Sequence, residues 1–114
     1  MQKAYGDAVR LASSKPSDPG ALLLLAEATV AYCEKGKKGD LDRALSATRK
    51  ARKLNPILHE SLFWEGAVQA AAGRREKARD SLIRFIEVAR THARYRTLIK
   101  SAEKRVHALA APEE

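Results

Sequence analysis

One cysteine, few aromatic residues and no apolar run longer than Ala21–Ala26 exclude several classes of protein for this chain of 114 residues. A lone Cys33 cannot form an intrachain disulfide or a thiolate metal site, and it is compatible with a reducing compartment. Spanning a bilayer takes about 20 apolar residues, so no segment is expected to cross a membrane. The first fifteen residues are charged and mixed without an apolar centre, unlike a secretory signal. Together these features point to the cytoplasm. Aromatics make up only 5% of a chain that is 45% hydrophobic, so the apolar surface lies in alanine and leucine, which form helices. Nothing in the pattern reads as β-structure.

Catalytic and metal-binding constellations are also lacking. His59, His92 and His107 are scattered, and none has a second ligand at the spacing of a helical metal site. Gly36-Lys37-Lys38-Gly39 lacks the earlier glycine of a phosphate-binding loop and the Ser/Thr after its Gly-Lys, and reads as a basic turn. Cys33 has no histidine one helical turn away to activate it, which leaves it as a small apolar residue. The expectation is a non-enzyme with no metal and no cofactor.

Positive charge is plentiful. The net charge is +8 from 22 basic and 14 acidic residues, and the excess lies outside residues 57–89, where the two signs balance. Such an excess favours anionic partners or keeps a surface solvated. The basic residues are spread over several helices, which favours solvation.

Period and punctuation give six helices. The first runs from Gln2 to Ser14 with Tyr5, Ala8, Val9 and Ala12 on one stripe, and ends at Ser13-Ser14-Lys15-Pro16. Asp18-Pro19 supplies an N-cap and a proline at the first helical position, starting a second helix that stops near Lys35 at Gly36. Gly39-Asp40 caps a third, with Leu41, Ala44, Leu45, Thr48 and Ala51 inward, to about Leu54. Asn55-Pro56 repeats the cap-and-proline device and launches a fourth, ending at Gly73. The fifth spans Arg75–Ala89 with Ala78, Leu82, Phe85 and Ile86 inward. Thr91 caps a sixth from His92 to Ala110, ended by Pro112. Short glycine-containing turns make consecutive helices antiparallel neighbours. Gly66, Ala78 and Ala44 stand where helices must approach closely.

The helices repeat. Leu25, Ala28, Thr29, Tyr32, Gly36, Ala44, Thr48, Ala51 and Pro56 follow Pro19, and Leu62, Gly66, Gly73, Ala78, Leu82 and Phe85 follow Pro56. The second unit has a period of about 34 residues ending at Arg90, and the first is longer by the Lys37-Lys38-Gly39 turn. This pattern resembles the tetratricopeptide repeat family over roughly residues 5–90, with departures at Glu65, Gln69, Phe85 and the insertion. The resemblance implies an all-α, right-handed array of helical hairpins, an α-solenoid, in one domain over 1–114. Residues 2–14 would be a partial repeat, 19–56 and 57–90 two full repeats, and 92–110 a capping helix.

In that family the first helices of successive repeats line a concave groove. The resemblance puts Leu23, Ala26, Val30, Cys33 and Glu34 there, then Glu60, Phe63, Ala67, Ala70 and Ala71, with Trp64 beside them. Members that grip acidic chaperone tails use Lys, Arg and Asn at these places, and here such residues are absent. An apolar groove edged by Glu34 and Glu60 suits an amphipathic helix or an extended apolar segment. Trp64 is the favoured anchor, although it serves equally as packing. The final helix carries Tyr95, Leu98, Ile99, Ala102 and Val106 inward, and Arg96, Lys100 and Lys104 form a basic ridge able to meet an anionic surface.

The expected function is a non-catalytic protein–protein interaction module, a scaffold or adaptor for another protein or peptide. One alternative is a basic helical protein that binds nucleic acid or another anionic surface. Against it stand the scarcity of aromatics to stack bases and the scatter of the basic residues. The other is a self-associating element, a homo-oligomer formed through a bare edge of a short array.

Overall fold

Polar caps, prolines and glycines set the helix ends in the first half of the chain. The structure, a computed structural model, describes residues 2–110, with side chains from residue 4. Among these residues it is all-α: six helices, one 3-10 turn and no strand. The helices are α1 (Gln2–Ser14), α2 (Pro19–Glu34), α3 (Leu41–Leu54), α4 (Glu60–Ala71), α5 (Arg75–Ala89) and α6 (Arg96–Ala110). The Asp18 carboxylate accepts from the Gly20 and Ala21 N–H groups with Pro19 at the first position, and Asp40 accepts from Arg43 N–H. Both aspartates satisfy amides that the helix itself cannot. Gly36 and Gly73 close α2 and α4 at φ +79° and +80°. At each, the following N–H reaches back to the last turn, Lys37 to Tyr32 O and Arg74 to Gln69 O. That bond requires a left-handed residue, which glycine adopts without steric cost.

Two helix starts differ from the sequence reading. Asn55-Pro56 ends α3 and does not launch α4. Asn55 is extended at φ −142°, as a residue before proline is driven to be, and its N–H bonds to Ala51 O. Pro56 and Ile57 then form a turn closed by Leu58 N–H to Asn55 O, and α4 begins at Glu60 with His59 before it. Likewise Thr91 is not the cap of the last helix. The chain enters through a 3-10 turn, Ala93–Tyr95, preceded by His92, and the α-helix starts at Arg96. The expected stop at Pro112 lies outside the described residues.

Each helix packs on the next, and α2 also packs on α4. Three apolar clusters follow one another along the molecule. Ala12, Leu22, Leu25, Ala47 and Ala51 join α1, α2 and α3. Ala26, Val30, Ala44, Leu45, Ala67 and Val68 join α2, α3 and α4. Leu62, Phe63, Leu82, Phe85, Ala89, Tyr95 and Ala102 join α4, α5 and α6. The α4–α5 crossing is close enough that a Cβ on Gly66 would sit 2.6 Å from Leu82 Cγ and 3.2 Å from Ala78 O. Glycine at 66 and alanine at 78 therefore set the helix separation.

The departures at Glu65, Gln69 and Phe85 each find a partner. Glu65 is buried, and its carboxylate is 2.5 Å from the Arg52 guanidinium and 3.5 Å from Arg49, both on α3. Gln69 accepts from Arg74 at 3.1 Å. Phe85 packs edge-on between Phe63 and Tyr95, with ring centroids 5.6 and 5.7 Å away. A buried carboxylate is tolerated only with such a cation beside it.

Candidate partner-binding groove

Four leucines in a row, Leu22–Leu25, cannot all face inward, because each helical residue turns about 100° from the last. Leu22, Leu23 and Leu25 are buried, and Leu24 is left 44% exposed. It stands on one wall of an open groove of about 430 Å³. The first turns of α2 contribute Pro19, Gly20, Leu23, Leu24 and Glu27, the turn after α3 contributes Asn55 and Leu58, and α4 contributes Glu60 and Trp64. Ile57, in the same turn as Asn55 and Leu58, is 70% exposed. The late start of α4 opens this groove, since residues 55–59 form a wall of loop in place of another helical turn.

Of the residues that the sequence assigns to the groove, Leu23, Glu60 and Trp64 line it together. Trp64 is half-buried, packs against all three apolar clusters and meets Phe63 edge-on at 4.9 Å. It is thus both a packing residue and part of a groove wall. Ala26, Val30, Phe63 and Ala67 are buried beneath, covered within the chain, and offer a partner little surface. Phe63 has its own lid: the Arg105 guanidinium of α6 lies 5.8 Å from its ring and 3.7 Å from the Glu34 carboxylate of α2. Cys33 is elsewhere, half-buried with Sγ 3.3 Å from where a Cβ on Gly39 would stand. Ala70 is half-buried and Ala71 exposed, neither among the groove's walls.

Of the other walls, Pro19 and Asn55 read from the sequence only as helix-boundary residues, and Gly20, Leu24, Glu27 and Leu58 were not singled out. The Leu22–Leu25 run carried a signal for Leu24. Asn55 and Leu58 carried none, because a late helix start is invisible to hydrophobic period.

Electrostatically the groove is acidic. Glu27 is exposed at its rim, and Glu60 accepts a hydrogen bond from the Tyr95 hydroxyl, which also accepts from Arg94 at 2.7 Å. Burial holds the Tyr95 phenol above its ordinary pKa, and the Glu60 carboxylate adds to the rise. Of the basic ridge, Arg96 and Lys100 line a second groove at the α5–α6 junction and Lys104 does not. Among the described residues no group of three or more His, Cys, Asp or Glu side chains is placed to hold a metal ion, and no helix is long and apolar enough to cross a membrane.

The fold and groove define an all-α protein with an open apolar cleft between its second and fourth helices. No protein-family model matches the chain. Over 64 residues it is 36% identical to the uncharacterized protein MJ0572 of Methanocaldococcus jannaschii, an alignment covering 54% of this chain and 74% of that protein. The chain belongs to the same family as that archaeal protein.

Proposed function

We propose that the chain is a tetratricopeptide-like array of helical hairpins acting as a non-catalytic interaction module. It takes an amphipathic segment of another protein in the groove between α2 and α4. The packing of α2 on both α3 and α4, with Gly66 and Ala78 at a close crossing, supports the repeat reading. The observation that carries the functional reading is Leu24, a large apolar residue left 44% exposed in a concave groove beside Leu58 and Trp64. Desolvating a leucine of this kind contributes about 1–2 kcal/mol of association. Glu27 and Glu60 in the groove select a segment whose apolar anchors are flanked by Lys or Arg.

Trp64 is the sole tryptophan, so its emission reports directly on the groove. Selection from a displayed peptide library should enrich sequences with paired apolar anchors and a basic flank, and their binding should shift Trp64 fluorescence. Leu24→Glu should weaken them at least about tenfold, whereas Ile83→Glu, an exposed apolar site on α5, should leave them unchanged. Three results each refute the reading: a peptide set indifferent to Leu24→Glu, silent Trp64 emission, or sedimentation as a dimer that Leu24→Glu dissociates. Phe63→Ala is no probe of the groove. Phe63 is 2% exposed, and its truncation should cost about 3–5 kcal/mol of stability, read by urea denaturation.

A further inference from the structure

Two concavities are lined by three cations each: one on α3, with Arg49, Lys50 and Lys53 beside Leu54, where Arg49 already pairs with Glu65, and one at the α5–α6 junction. Where α5 runs into α6, Arg90, Thr91, His92, Ala93, Arg96, Ile99, Lys100 and Glu103 enclose a groove of about 360 Å³. Three permanent cations face one carboxylate, leaving two positive charges uncompensated. Elsewhere on the molecule Arg52 and Arg49 pair with Glu65, Arg74 with Asp42, Arg105 with Glu34 and Arg10 with Asp7, while Arg43 and Arg94 bond to hydroxyls. Among the described residues none of Arg90, Arg96 and Lys100 has a carboxylate oxygen within 4.0 Å. The first turn of α6 contains no acidic residue, so the helix dipole adds to the positive field. Like charges gathered in a concavity repel one another, and the field is relieved when an anion enters.

We infer that this groove binds a phosphate monoester dianion. The ligand's charge decides among anions. A carboxylate or a phosphodiester brings one negative charge, whereas a monoester brings about two near neutral pH, which matches the deficit. Two guanidinium forks, Arg90 and Arg96, suit the paired oxygens of a phosphate, with Lys100 as a point charge and the exposed Thr91 hydroxyl as a neutral donor. Ala93 and Ile99 form an apolar patch of its lining against which the ester's carbon can rest. A nucleic-acid backbone fits less well. Its diesters are monoanionic, and the groove is a short concavity lined by one exposed imidazole, His92, and no other aromatic ring.

The test uses the full chain labelled with 15N and titrated with methyl phosphate. The amides of Thr91, His92 and Ala93 and the side-chain N–H signals of Arg90 and Arg96 should shift together and saturate. Dimethyl phosphate should bind at least about tenfold more weakly. Arg96→Gln with Lys100→Gln, both exposed positions, should abolish the shifts while the remaining spectrum stays folded, and Lys53→Gln on α3 should change nothing. A capped phosphoserine peptide and a nucleoside 5′-monophosphate distinguish the source of the phosphate, and tighter binding of either than of methyl phosphate identifies it. The inference fails if dimethyl phosphate or an unphosphorylated oligonucleotide binds as well as methyl phosphate. It fails equally if the shifts spread over the basic residues of α3, or survive in the Arg96/Lys100 double variant.

Discussion

Adding one methyl group at Gly66 tests the crossing that sets the whole arrangement. In an isolated helix Gly→Ala is worth about 1 kcal/mol in favour of alanine. Here the new Cβ would lie 2.6 Å from Leu82 Cγ, 2.9 Å from Leu82 Cδ2 and 3.2 Å from the Ala78 carbonyl oxygen. Leu82 is fully buried among Leu62, Phe63 and Phe85, so it has nowhere to swing, and the carbonyl belongs to the α5 backbone. Overpacking of this kind costs roughly 1–3 kcal/mol, which cancels or exceeds the propensity gain. Truncating the obstacle separates the two terms. In a Leu82→Ala background the worst contacts vanish, and Gly66→Ala should become stabilising by up to about 1 kcal/mol. Urea unfolding of the four proteins gives the coupling energy, expected at about 1–3 kcal/mol. If Gly66→Ala has the same effect in both backgrounds within about 0.5 kcal/mol, α4 and α5 do not cross at Gly66 and the packing argument fails.

Two further predictions concern the other buried polar contacts. Glu65→Gln should cost about 1–3 kcal/mol, less than a fully buried pair because the Arg52 side chain is 29% exposed, and Arg49→Gln should stay within about 0.5 kcal/mol; urea midpoints decide both. Because the folded state raises the Tyr95 pKa, the stabilisation from its neutral phenol is complete below the ordinary value near 10 and is lost as pH climbs through the higher folded value. Denaturation midpoints across the alkaline range should therefore fall, and less so in Tyr95→Phe; an identical fall in that variant would place the titrating group elsewhere.

Only three of the nine residues that line the candidate groove are assigned to it from the sequence. Leu23, Glu60 and Trp64 are assigned through the resemblance to tetratricopeptide repeats, and α2 and α4 do pack on each other there. The same resemblance names Phe63 and Val30, yet they are core. Phe63 is enclosed by Trp64, Phe85 and Arg105, the last more than forty residues along the chain and 3.7 Å from Glu34 on a third helix. Register says which side chains share a face and is blind to what closes over it.

The sequence by itself determined the helical content, the capped starts of α2 and α3, the glycine stops at Gly36 and Gly73, and the small residues at the α4–α5 crossing. These depend on groups within one turn of each other, or on a steric limit at a single position, so local chemistry is enough. Tertiary structure decided that Asn55-Pro56 forms a turn and not a helix start, and that Leu24 is the leucine left outside. It also decided that Glu65 is buried against Arg52 and that Arg90, Arg96 and Lys100 share one cavity. The fates of Leu24 and Glu65 turn on which distant surface arrives opposite the side chain. The turn at Asn55-Pro56 and the groove at residues 90–103 depend instead on a change of chain direction that hydrophobic period does not encode. Burial and charge compensation are properties of the pair of surfaces and not of either segment alone.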